Sequence, residues 1–275
     1  LRLTHPTGCV LRTRLWTAIV ALPATIVIIL FAPGALFTAV IAILTAWGLY
    51  EITAMTQASA LQTLLVAIVG GTSAIVLLLS EGGGMTPAAA IVVGILMLLL
   101  VARVGLEGAD RFARWRWFRP WLLVVGALWV GVLFPYFALL RNHTGGVPII
   151  ILMLLLVVAS DSGAYFVGRS MGRIKLLPRV SPNKTVEGAI GGLGACIVAA
   201  ILLRPLLASQ WSVGAAVIMA AAVGALAQFG DLAGSAFKRV AGVKDSGWIF
   251  PGHGGLLDRT CSLVFAAAFT YYYFR

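Results

Sequence analysis

The stretch Ile151-Leu-Met-Leu-Leu-Leu-Val-Val-Ala-Ser-Asp161-Ser-Gly-Ala-Tyr-Phe-Val-Gly168 decides the fold. A membrane-spanning helix needs roughly 20 mostly apolar residues, and this run with its flanks supplies them. It also holds an acid, Asp161, at a depth where a charge is costly unless it faces a polar cavity or a partner. Asp161 is therefore a candidate functional residue, the alternative being a structural acid paired with Arg169 or Arg173.

Outward from this run the whole chain reads the same way. Of 275 residues 61% are hydrophobic and 11% charged, with a mean hydropathy of +1.02, which excludes a soluble globular domain. Nine spans are expected, at about 15–33, 35–54, 61–80, 86–104, 120–140, 147–168, 188–207, 212–230 and 256–273. The fold class is all-α and polytopic, with an N-terminal region 1–150 of about five helices and a C-terminal region 151–275 carrying two long loops. The first apolar stretch is read as a retained helix rather than a signal peptide, because more spans follow it at once.

The net charge of +11 would suggest nucleic-acid binding in a soluble protein, but no basic run is interleaved with a polar domain here. The cations instead sort by side. With nine spans, one face receives seventeen of the twenty Lys and Arg, and the other keeps Arg141, Arg204 and Arg275. The positive-inside rule then puts the N-terminus and both long loops in the cytoplasm. Segment 103–119, with Trp115 and Trp117 among five arginines, reads as an interfacial helix or an ordinary basic loop. Cys9, Cys196 and Cys261 show no disulfide or zinc spacing.

Five of the nine acids, Asp161, Glu187, Asp231, Asp245 and Asp258, lie in the last 115 residues, in or beside the two loops. The first loop, Gly168 to Gly188, carries five cations and a Ser181-Pro-Asn183 turn. A helix is expected to begin near Lys184, capped by Asn183, with Glu187 in its first turn and exposed N–H groups suited to phosphate. In the second loop Asp231 is expected to end one helix and Asp258 to open the next, with Lys238, Arg239, Lys244 and Arg259 nearby. Carboxylates at two helix ends suit Mg²⁺, and the Gly-rich bend Pro251 to Gly255 suits close approach of a polyphosphate. His253 binds phosphate or metal, or holds the loop together. Residues 1–100 carry no motif beyond hydrophobicity.

Three segments together resemble a known family. Ser235-x-Phe-Lys238-Arg239-x4-Lys244-Asp245-x-Gly-x2-Phe-Pro-x-His253-Gly254-Gly255-Leu-x-Asp258-Arg259-Thr260 is similar to the signature of the phosphatidate cytidylyltransferases, or CDP-diacylglycerol synthases. Ser181-Pro-Asn183-Lys184-Thr-Val-Glu187-Gly and Asp161-Ser-Gly-Ala-Tyr-Phe-x-Gly168 are similar to that family's other recurrent segments. The resemblance implies cytidylyl transfer from CTP to phosphatidic acid in a bacterial-type inner membrane, with pyrophosphate released, Mg²⁺ and a second cation such as K⁺, and a homodimer. It implies catalytic roles for Asp231, Asp258, Lys244, Asp245 and Arg259. Substrate contacts would come from Asp161, Ser181, Asn183, Lys184, Glu187, Ser235, Lys238, Arg239, His253, Gly254 and Gly255. Asp231 and Asp258 match metal-associated acids; the third acid of that set falls at Cys261, and a Glu found in many members falls at Gly234. Three readings follow: a synthase with a rearranged centre, a paralogue for another lipid phosphate, or an inactive or engineered variant. A CTP-dependent lipid kinase and a transporter or silent scaffold are the alternatives outside that activity.

Overall fold

The computed structural model describes residues 19, 23–79, 86–109, 118–207, 211–249 and 254–275. The chain runs through α1 (Gly34–Thr56), α2 (Ala60–Leu79), α3 (Thr86–Glu107), α4 (Phe118–Leu133), α5 (Tyr136–Asn142) and α6 (Gly146–Met171). A hairpin of β1 (Lys175–Leu177) and β2 (Ser181–Thr185) follows, then α7 (Val186–Leu207), α8 (Val213–Ala241) and α9 (Leu257–Phe274). Residues 23–31 are also helical.

Among the described residues seven helices, not nine, are long and apolar enough to cross a membrane: α1, α2, α3, α4 with α5, α6, α7 and α8. The expected span 256–273 exists as α9, but Asp258, Arg259, Thr260 and a run of three tyrosines make it too polar to count, and it is largely buried among its neighbours. The expected first span, 15–33, lies partly outside the described residues, as do the middle of segment 103–119 and His253. Lipid-facing character is written on the outer helices: Leu64, Leu65 and Ile68 of α2 and Ile91, Ile95 and Leu98 of α3 are all at least half exposed.

Two expectations for the loops change. The span expected at 212–230 does not stop at Asp231; α8 continues to Ala241 and ends at Gly242, whose φ of +78° closes the helix in the left-handed conformation. The helix expected near Lys184 starts instead at Val186, because Ser181–Thr185 pairs antiparallel with Lys175–Leu177. Thr185, not Asn183, supplies the cap: its Oγ1 accepts from the Gly188 N–H at 3.1 Å.

The helices alternate between two ends of the bundle. At one end Arg141 donates to the carbonyls of Ile29 (2.9 Å) and Ala32 (3.0 Å), and Trp211 stacks near Tyr273 and Phe274. An arginine placed there satisfies helix-end carbonyls that would otherwise lack partners. At the other end Arg239 reaches the Val180 carbonyl and Arg179 reaches Leu106, so the hairpin is tied to α8 and α3. Between the ends the core holds Ile52, Trp129, Leu133, Met219 and Phe237, with the Trp129 and Phe237 rings 5.8 Å apart. α6 and α7 pack closely against each other. Side chains at Gly188, Gly191 or Gly192 would run into Ala164, Val167 or Ser160, so these small residues let the two helices approach, whereas Gly194 faces open space.

Candidate functional site

The hairpin end of the bundle gathers the charged residues of both loops. Asp231, Ser235 and Lys238 recur at i, i+4 and i+7 on α8 and so share one face of it. Lys184, at the end of β2, crosses to Asp231 with Nζ 2.5 Å from Oδ2; the two side chains are 27% and 49% exposed, so this pair borders open space. Asp161 of α6 lies within electrostatic range of both. One sequence-selected acid and one ion pair, drawn from α6, β2 and α8, therefore meet.

A second pair sits deeper. Lys238 forms an ion pair with Asp258 Oδ1, and Asp258 Oδ2 accepts from the N–H groups of Ser246 (2.7 Å) and Gly255 (2.9 Å) and from the Ser246 hydroxyl (3.1 Å). The Asp258 side chain is only 5% exposed. Burial alone would raise its pKa, but the Lys238 ammonium and the two backbone donors outweigh burial and hold it below the usual carboxylate range. Gly254, with φ +86°, makes the bend that brings these donors round, a conformation costly for any residue with a Cβ.

The remaining candidates are spread around these pairs. Lys244 and Asp245 are exposed on the loop after α8, Arg259 is exposed in the first turn of α9, Asn183 is exposed on β2, and Ser181 opposes Leu177 in the hairpin. Arg239 is turned to the Val180 carbonyl at 3.5 Å. Glu187 accepts from the Ile174 N–H at 3.1 and 3.2 Å and so closes the base of the hairpin.

Among the described residues no three His, Cys, Asp or Glu side chains converge on a metal position. Cys261 is buried, its Sγ donates to the Leu257 carbonyl at 2.5 Å, and Gly234 packs directly against it. Every oxygen of Asp258 is already engaged. Asp231 is half exposed even in its pair with Lys184, so its carboxylate could also share an ion with phosphate oxygens and water, which is how Mg²⁺ is commonly held.

Sequence reasoning missed one member altogether. Glu51 of α1, 2% exposed, accepts from Ser246 Oγ (2.8 Å), the N–H groups of Leu256 (2.7 Å) and Leu257 (3.0 Å), and Trp47 Nε1 (3.2 Å). The available signal was an acid inside an apolar helix, the same signal that marked Asp161, but Glu51 falls near the end of its span and reads as punctuation.

The fold and this site define a polytopic helical membrane protein whose acidic and basic side chains converge at one end of the bundle. Residues 12–275 match the model of the Cytidylyltransferase family, and the chain belongs to that family. It is 40% identical over 151 residues to the phosphatidate cytidylyltransferase of Bacillus subtilis (strain 168), covering 54% of this chain and 56% of that protein. To the phosphatidate cytidylyltransferase of Haemophilus influenzae it is 44% identical over 134 residues, or 47% of this chain and 46% of the other. To that of Brucella suis biovar 1 it is 42% identical over 159 residues, 58% of each. These alignments span about half the length of the curated relatives.

Proposed function

We propose that the chain transfers a cytidylyl group from CTP to phosphatidic acid, forming CDP-diacylglycerol and pyrophosphate. The observation that supports this best is that the Lys184–Asp231 and Lys238–Asp258 pairs are both anchored on one face of α8, the first within electrostatic range of Asp161, at the end of the bundle where apolar helices give way to loops. A lipid phosphate held at the headgroup level and a water-soluble nucleotide can both reach such a place. A soluble nucleotide enzyme has no use for an acid within a membrane span, and a lipid-only site has no use for so many exposed cations.

In the reaction an oxygen of the lipid phosphate attacks the α-phosphorus of CTP. A new P–O bond forms there, the bond from the α-phosphorus to the bridging oxygen breaks, and pyrophosphate leaves with the electron pair. The protein's task is to bring two polyanions together and neutralise charge on the leaving group. Lys184 and Lys244 border open space and are proposed to bind the triphosphate, together with Arg239 and Arg259; Lys238 is held by Asp258 at the floor of the site. Ser181, Asn183 and Ser235 offer neutral hydrogen-bonding groups on the facing walls, and Asp245 and His253 belong to the same loop. Mg²⁺, bound by Asp231 with the nucleotide phosphates, would supply further charge neutralisation. The two long loops and the N-terminus are assigned to the cytoplasmic side of a bacterial inner membrane, where CTP is found, in keeping with the basic bias of that face.

The test is direct. Purified protein with CTP, phosphatidic acid and Mg²⁺ should release pyrophosphate and form CDP-diacylglycerol, and Asp258→Asn should abolish both. Formation of CDP would mean a lipid kinase; no turnover in either the native chain or Cys261→Asp would remove the cytidylyltransferase reading.

A further inference from the structure

We infer that Glu51, on a helix outside all three motif segments, is a positioning residue that seats the loop carrying Asp258. The start of α9 has no local cap, since Leu256 occupies the cap position and offers no side-chain acceptor. Its first N–H groups are buried and would stay unsatisfied, a costly arrangement for any helix end. Glu51, 205 residues earlier in the chain, accepts from Leu256 through Oε1, and its Oε2 accepts from Leu257. A carboxylate at this spot also meets the positive end of the α9 dipole, which accounts for a buried acid whose hydrogen-bond donors are all neutral groups.

The same carboxylate is joined to Asp258 by one hydroxyl. Ser246 Oγ lies 2.8 Å from Glu51 Oε2 and 3.1 Å from Asp258 Oδ2, while the Ser246 N–H donates to Asp258. Glu51 thus fixes Ser246 and the α9 terminus together, and those two elements hold Asp258 Oδ2 and leave Oδ1 facing Lys238. The glycines fit this account. A side chain on Gly255 would collide with Ser246 Oγ and both Glu51 oxygens, and one on Gly247 would press on Glu51 Oε1. The absence of side chains at these two positions makes room for Glu51 from inside the bundle, whatever approaches the bend from the cytosolic side.

The kinetic part of the inference rests on the proposed cytidylyl transfer; the seating of the loop does not. The experiment compares the native chain with Glu51→Gln, which keeps the volume but sets an amide donor against donors. Hydrogen exchange over residues 244–249 and 254–258 should accelerate on the order of ten- to hundredfold in Glu51→Gln. The affected amides should include those of Ser246 and Gly255, which bind Asp258 and not Glu51. In turnover, kcat should fall by at least about tenfold while KM for CTP moves less than about threefold, since an orienting contact rather than a binding one is lost. If Glu51→Gln does not yield folded protein, Ser246→Ala, which removes only the shared hydroxyl, should show the same pattern at smaller amplitude. Unchanged exchange at Ser246 and Gly255 overturns the inference, and so does raised exchange with native kcat. A native chain that never makes CDP-lipid removes the functional reading, and exchange at Ser246 and Gly255 then decides the positioning role alone.

Discussion

Placing a methyl group at Gly234 tests the packing at the two positions, 234 and 261, where the family resemblance leads one to expect acids. A Cβ on Gly234 would lie deep inside the contact distance of Cys261 Sγ, 3.0 Å from Cys261 Cβ and 3.5 Å from Trp129 Cη2. All three groups are buried, and Cys261 Sγ is held to the Leu257 carbonyl at 2.5 Å, so the thiol has little freedom to withdraw. Overpacking of this kind costs about 1–3 kcal/mol, and the upper half of that range is expected because the obstruction is a short side chain on a neighbouring helix. Cys261→Ala alone should cost on the order of 1 kcal/mol through lost burial. The double substitution should cost less than Gly234→Ala alone, because deleting the sulfur empties the space that the new methyl needs, giving a coupling of at least about 1 kcal/mol. Thermal inactivation in detergent micelles, compared across the four proteins of the cycle, measures this. Additive losses, or a neutral Gly234→Ala, would refute the claim that the two positions form one packed unit. The same geometry implies that Glu at 234 is tolerated only when Cys261 is also replaced.

Three further outcomes are expected. Lys238→Met leaves the buried Asp258 without its counter-ion and should lower turnover by at least about a hundredfold while raising the Asp258 pKa, the order of effect expected when one member of a buried charge pair is removed; a variant that retains native turnover would contradict the pairing. Thr185→Val removes the acceptor for the Gly188 N–H and should cost about 1 kcal/mol of stability, read as faster exchange at the first turn of α7. Arg141→Leu unclamps the carbonyls of Ile29 and Ala32 at the end of the bundle remote from the site, and should shorten the half-life in detergent while leaving turnover per folded molecule within about twofold.

Hydropathy located most of the helices because a lipid bilayer imposes a length and a composition that local sequence must meet. It failed where helix and membrane part company. Asp231 ends the apolar run, yet Leu232, Ala233, Ala236, Phe237 and Val240 continue a buried stripe at helical spacing and carry α8 on to Ala241. α9 is the opposite case, a helix that is packed rather than lipid-bathed and therefore tolerates tyrosines and a charged first turn. At the site, the clustering of acids and bases in the last 115 residues was readable, and Lys184, Asp231 and Asp161 do meet. The individual partners were not readable: nothing local distinguishes Thr185 from Asn183 as a cap, and the hairpin that decides it is a pairing across several residues. Glu51 is the extreme case, since all its partners but Trp47 stand more than 190 positions away.

That separation also sets an order of events during synthesis. Glu51 and the Leu256 amide are 205 residues apart, and at about 5–20 residues per second the ribosome delivers the second roughly 10–40 s after the first. Throughout that interval α1 carries a carboxyl group whose loop partners do not yet exist, with the Trp47 indole as its intrahelical neighbour. When Ser246 and the start of α9 emerge and dock, they supply the hydrogen-bond donors that this carboxyl group lacked until then, so maturation of the site should be the step at which a nascent chain becomes resistant to proteolysis.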